Sequence, residues 1–87
     1  MYEIEYDSAV KDSMKKFPKH DLKAIFKKID ALRNEPRPSG VEPLQGSMKG
    51  YLRIRYGNYR IIYSVFDSKL IIYIVKVAKR GEVYRTP

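Results

Sequence analysis

Apolar and acidic residues alternate through Tyr2-Glu3-Ile4-Glu5-Tyr6, and a period of two predicts a short strand. Asp7-Ser8 then offers a helix N-cap. Ala9, Val10, Met14 and Phe17 supply the buried stripe of a short helix running to about Phe17. Pro18 separates it from a second helix. There Leu22, Ile25, Phe26, Ile29 and Leu32 fall at i, i+3, i+4, i+7 and i+10, which is one apolar face. Lys23, Lys27, Lys28 and Asp30 lie off that face. Asn34-Glu35-Pro36 ends the helix, because proline disfavours helical geometry in the residue before it.

Residues 36–50 hold three prolines and three glycines and read as a loop. The period of two then returns. Tyr51 to Tyr56, Tyr59 to Phe66 and Leu70 to Val77 read as strands, separated by turns at Gly57-Asn58 and Asp67-Ser68. Such short turns make an antiparallel meander. Glu82 to Arg85 adds a short edge strand or stays irregular. The order β-α-α-β-β-β predicts an α+β fold in one domain spanning residues 1–87. Its sheet is mostly antiparallel, a helical hairpin packs on one face, and the other face is partly open to water or a ligand.

Alternation also sorts the strand residues by face. Leu52, Ile54, Tyr56, Tyr59, Ile61, Tyr63 and Val65 are assigned to the helices, and so are Ile71, Tyr73, Val75 and Val77. Arg53, Arg55, Arg60 and Lys76 then share the opposite face. Arg80, just past the last strand, joins them if the chain keeps its phase. Like charges on neighbouring strands repel, so such a cluster with few acids near it suggests an anion site. Arginine suits phosphate because its planar fork donates two hydrogen bonds at once. The interleaved Tyr56, Tyr59, Tyr63 and Tyr84 could stack bases. Tyr59, Tyr63 and Tyr73 read more simply as core and sheet residues. Tyr84, in Lys79-Arg80-Gly81-Glu82-Val83-Tyr84-Arg85, does not.

Charge sharpens this picture. The net charge is +8 over 87 residues, and it is unevenly spread. Residues 1–44 carry 9 Lys+Arg against 8 Asp+Glu, whereas residues 45–87 carry 9 against 2. A basic second half suggests a polyanionic partner, nucleic acid or acidic protein, with a merely solvated basic surface as the plain alternative. There is no cysteine, hence no disulfide or thiolate metal site. No stretch approaches the ~18 apolar residues of a membrane span, and the acidic start is unlike a signal peptide, so a soluble cytoplasmic protein is expected.

The chemical inventory narrows the function further. His20 is the single histidine, which excludes a two-histidine nuclease, and it reads as an exposed residue near a helix start. Asp67 in a turn and the isolated Glu82 do not make a multi-carboxylate metal site, so neither metal nor cofactor is expected. Glycine-rich nucleotide signatures are absent, and Ser39, Ser47 and Ser64 lack a histidine partner. What remains is tyrosine, arginine and lysine around a phosphate. That set suits metal-independent RNA cleavage in which the RNA's own 2′-hydroxyl is the nucleophile and arginines stabilise the phosphorane-like transition state. Simple RNA binding fits these residues nearly as well.

The stretch LQGSMKGYLRIRYGNYRIIYSV, followed by VAKRGEVY, resembles the RelE toxins of the RelE/ParE toxin–antitoxin superfamily, and the likeness extends over essentially the whole chain. The resemblance implies a ribosome-dependent mRNA endoribonuclease acting in the ribosomal A site. By motif position, Arg53 and Arg55 would hold phosphate, and Arg60 would stabilise the transition state. Tyr84 would be the general base, and Arg80 would donate a proton to the leaving oxygen or act electrostatically. Apart from the motif positions, Lys76 on the arginine face and Lys79 are expected to join the arginines in binding RNA. An acidic antitoxin that wraps the toxin is the implied protein partner, and operon DNA is reached only through that complex. Two departures stand out. Arginine occupies positions 53 and 55, where bacterial prototypes often have lysine, and only three residues follow Tyr84, so no long C-terminal helix is expected over the site. The competing readings are a ParE-like inhibitor of DNA gyrase without nuclease chemistry and an inactive binding remnant.

Overall fold

The computed structural model describes residues 1–79. β1 (Glu3–Tyr6) runs straight into α1 (Ser8–Met14), and Asp7 caps the turn by accepting a hydrogen bond from the Ala9 amide at 2.9 Å. α1 is shorter than its apolar stripe suggested, and residues 15–17 continue as a turn. α2 (Lys19–Ala31) buries Ile25 and Ile29, with Leu32 buried just beyond its end. Phe26 lies at the rim of that stripe. It stays half-exposed, edge-on to the Tyr6 ring at a centroid distance of 6.0 Å.

β2 (Glu42–Pro43), β3 (Leu52–Tyr56), β4 (Tyr59–Phe66) and β5 (Ile71–Lys79) complete a sheet of order β1-β5-β4-β3-β2. β1 runs parallel to β5, a pairing that the intervening helices make possible; every other pair is antiparallel. The expected α+β arrangement therefore holds. β2 is an addition within the segment read as loop. One sheet face, formed by Ile54, Tyr59, Ile61, Tyr63, Ile72, Ile74 and Val77, packs on Val10, Met14, Ile25, Ile29 and Leu32. Among the described residues no helix is long and apolar enough to cross a membrane.

β5 departs from the expected alternation. Ile62 pairs with Lys76 but Tyr63 pairs with Ile74, so Val75 is an extra residue and the strand changes phase there. Ile72 and Ile74 are the core residues of its first half, not Ile71, Tyr73 and Val75. Beyond the bulge, Val77 faces the helices and Lys76 the opposite side, as expected.

The β4–β5 connection holds Leu70 at φ +55°, a left-handed conformation that costs a side chain with a β-carbon about 1–2 kcal/mol. Leu70 is 48% exposed and returns little burial energy for that strain. Leu70→Gly is expected to stabilise the protein by about 0.5–1 kcal/mol, read as a higher urea midpoint with unchanged slope. A lower midpoint would show that the Leu70 side chain contributes more than its backbone costs.

Candidate functional site

The pairing of β2 to β5 assembles two rows on the sheet face away from the helices. Glu42, Arg53, Ile62 and Lys76 are directly opposed across four strands, and Arg55, Arg60 and Ala78 across three. Opposed residues have Cα atoms about 4.5–5.5 Å apart, so the guanidinium groups are neighbours. Arg53, Arg55, Arg60 and Lys76 are thus brought together as their alternation predicted.

Their surroundings differ sharply. Arg60 is only 6% exposed, and its Nε has no hydrogen-bond partner among the described residues. Ile62 and Ala78 beside it are also buried, so this part of the face is less open than the sequence suggested. The Arg53 side chain is 14% exposed and donates from Nε (3.2 Å) and Nη2 (3.0 Å) to one oxygen of Glu42. Arg55 is 55% exposed and lies 3.5 Å from that same oxygen. The Arg53 hydrogen bond, with the positive charges of Arg53, Arg55 and Arg60, holds the Glu42 carboxyl below the usual range.

Glu42 is the site residue that sequence reasoning missed. The arginine cluster was expected to have few acids near it, and it has a carboxylate at its centre. Glu42 sits between Val41 and Pro43 in a segment whose composition signals a loop, and only the register of a two-residue strand brings it opposite Arg53. Lys16 was missed as well. It lines a groove with Ser13, Phe17, Lys76, Val77 and Ala78 where α1 meets β5, and it extends the basic surface from Lys76.

Other expected residues fall elsewhere. Lys79 is opposed to Tyr59 and so has the phase of the helix-facing side. Tyr56, Tyr59 and Tyr63 alternate with the arginines and cannot stack bases on the basic face. The Tyr59 hydroxyl donates to Asp21 at 2.7 Å and its ring meets Phe17 edge-on at 4.8 Å. Tyr63 is fully buried, and its hydroxyl donates to the Pro36 carbonyl at 2.6 Å. Tyr73 is half-buried on the arginine side of the sheet and donates to Asp7 at 3.0 Å. His20 is exposed at the start of α2, 3.0 Å from Asp21. Arg80 and Tyr84 lie outside the described residues. Chemically, the β2–β5 end of the face offers, among the described residues, three guanidinium groups and an ammonium with Glu42 between them, while Glu3 and Glu5 of β1 lie on the same face at the opposite edge of the sheet. The basic end suits a phosphate and the extra negative charge of its transition state.

Known proteins agree with this architecture. Residues 4–84 match the family described as ParE toxin of type II toxin–antitoxin system, parDE. A Methanocaldococcus jannaschii chain carrying the name RelE1 is 30% identical, over 99% of this chain and 98% of its own. The mRNA interferase toxin RelE of Escherichia coli is 27% identical, over 95% and 90% respectively. RelE in the archaeal RelE–RelB complex of Pyrococcus horikoshii superposes with a TM-score of 0.80 at 31% identity, covering 93% of this chain and 97% of that one. Sequence and fold thus agree over nearly the full length, and this chain belongs to the ParE toxin family of type II toxin–antitoxin systems as a RelE-type member.

Proposed function

We propose that this toxin is an endoribonuclease that cuts mRNA on the ribosome and so inhibits translation. The observation that carries this reading is Arg60, buried beside Arg55 with an Nε–H that has no partner among the described residues. A desolvated guanidinium with a donor to spare is a poor stabiliser of a fold, but it is well suited to charge that develops during a reaction. The 2′-hydroxyl oxygen attacks the adjacent phosphorus and loses its proton to a base. The 5′-oxygen of the next nucleotide leaves and takes up a proton, giving a 2′,3′-cyclic phosphate and a 5′-hydroxyl. Arg53 and Arg55 hold the phosphate, Arg60 stabilises the transition state, and Lys76 contacts a flanking phosphate. We assign Tyr84 as the base and Arg80 as proton donor or electrostatic aid by their motif positions. Lys79, with the opposite phase, contacts RNA only outside the scissile step.

No step in this scheme needs a metal ion. The ribosomal A site and its mRNA are the proposed target, which places the protein in the cytoplasm. The P. horikoshii relative is seen with RelB. For this chain we infer a comparable antitoxin whose acidic, initially disordered segment complements the net charge of +8.

Purified toxin is expected to cut mRNA on programmed ribosomes and leave 2′,3′-cyclic phosphate ends. Fragments with 3′-hydroxyl ends would overturn the mechanism. The ParE description of the family favours a second reading, gyrase inhibition. Induced expression separates the two: mRNA cut within reading frames supports the nuclease, and DNA damage with intact mRNA supports the inhibitor.

A further inference from the structure

Glu42 sets a carboxylate against two of the arginines that the reading above gives to the phosphate. β2 is only two residues long, yet its pairing with β3 sets Glu42 opposite Arg53, with its carboxylate on the basic face. A carboxylate oxygen and a phosphate oxygen are equivalent acceptors for a guanidinium. The two arginines that share this oxygen are held unequally. Arg53 is largely buried and gives it two hydrogen bonds. Arg55 is more than half exposed and stands at 3.5 Å, at the outer limit of contact.

We propose that Glu42 is an internal occupant of the phosphate site, a positioning residue that fastens Arg53 and is displaced from Arg55 when RNA binds. This inference rests on the RNA-directed reading above. Arg53 is the fixed member, oriented by Glu42 before any substrate arrives, and Arg55 is the exchangeable member that takes the phosphate. Glu42 offsets one positive charge in the resting protein. Fewer cations then contribute to RNA binding than the arginines present would suggest.

The test uses the full chain and a fluorescently labelled single-stranded RNA, 2′-O-methylated throughout so that it cannot be cut. Binding is titrated between 50 and 200 mM salt at neutral pH for the parent protein and for Glu42→Gln. Glutamine keeps an oxygen acceptor for Arg53 but removes the charge. The expected result is several-fold tighter binding at low salt, with a log–log salt slope steeper by about 0.7, the value of one further cation on a single strand. Glu3→Gln removes the same charge from an exposed residue at the opposite edge of the sheet and is expected to leave binding nearly unchanged; an equal gain in that variant would mark a net-charge effect and overturn the inference. Equal or weaker RNA binding by Glu42→Gln, with binding by the parent intact, would overturn the inference alone. Absence of RNA binding by parent and Glu42→Gln alike would overturn it too, whereas the nuclease reading is decided separately by cleavage of mRNA on programmed ribosomes.

Discussion

Arg60→Ala is expected to slow ribosome-dependent cleavage by about 30- to 1,000-fold, a loss of about 2–4 kcal/mol of transition-state stabilisation, as for removal of one oxyanion donor. Arg60 is directly opposed to Arg55, is 6% exposed, and its Nε is unpartnered among the described residues. Low local dielectric makes such a donor effective toward developing charge, and also makes it costly to the resting fold. Arg60→Met therefore separates the two effects. It keeps side-chain bulk, removes a buried charge whose Nε–H has no partner among the described residues, and is expected to stabilise the protein by about 1–2 kcal/mol while cutting as poorly as Arg60→Ala. Thermal melts and single-turnover cleavage check both parts. Full activity in either variant would remove Arg60 from the site, and a lower melting point for Arg60→Met would show that the guanidinium supports the fold.

Tyr63→Ala is expected to cost about 3–5 kcal/mol, a large share of the roughly 5–15 kcal/mol that small domains possess. Tyr63 is fully buried in the centre of the sheet, opposed to Leu52 on β3 and Ile74 on β5. Tyr63→Phe keeps the ring but removes the bond to the Pro36 carbonyl, for an expected cost of about 1–1.5 kcal/mol. Burial pushes the Tyr63 hydroxyl up from 10.0 to about 12. The unfolded chain then loses this proton first as pH rises. The stabilising contribution is complete below pH 10.0 and is lost as pH climbs toward about 12. Tyr63→Phe should therefore flatten the alkaline fall in stability measured by denaturant melts. An unchanged alkaline profile would assign that fall to Tyr2, Tyr6 and Tyr73, whose hydroxyls are also raised.

The Pro36 bond also links the core to the site. It anchors the start of the segment that leads to β2, and Arg37 next to it is fastened to Asp67 through two hydrogen bonds of 3.2 and 3.0 Å. That carboxyl lies below its usual range because Arg37 and then Tyr2 donate hydrogen bonds to it. The loop that delivers Glu42 to the arginines is thus tied to the far end of the β4–β5 hairpin.

Much of this was legible along the chain. Ile25, Ile29 and Leu32 mark a helix face because a helical turn repeats every 3.6 residues, and Asp7 marks a cap because its short side chain reaches the backbone two residues on. Arg53 and Arg55 must share one face of any strand that contains them, since successive side chains point to opposite sides. These are properties of neighbours in sequence, and the residues alone determined them. Three matters were decided only in the folded protein: the change of phase at Val75, the burial of Arg60, and the meeting of Glu42 with Arg53 and Arg55. Each depends on which residue of one strand lies beside which residue of another. That register is set by packing the whole sheet against the helices, and no local period encodes it.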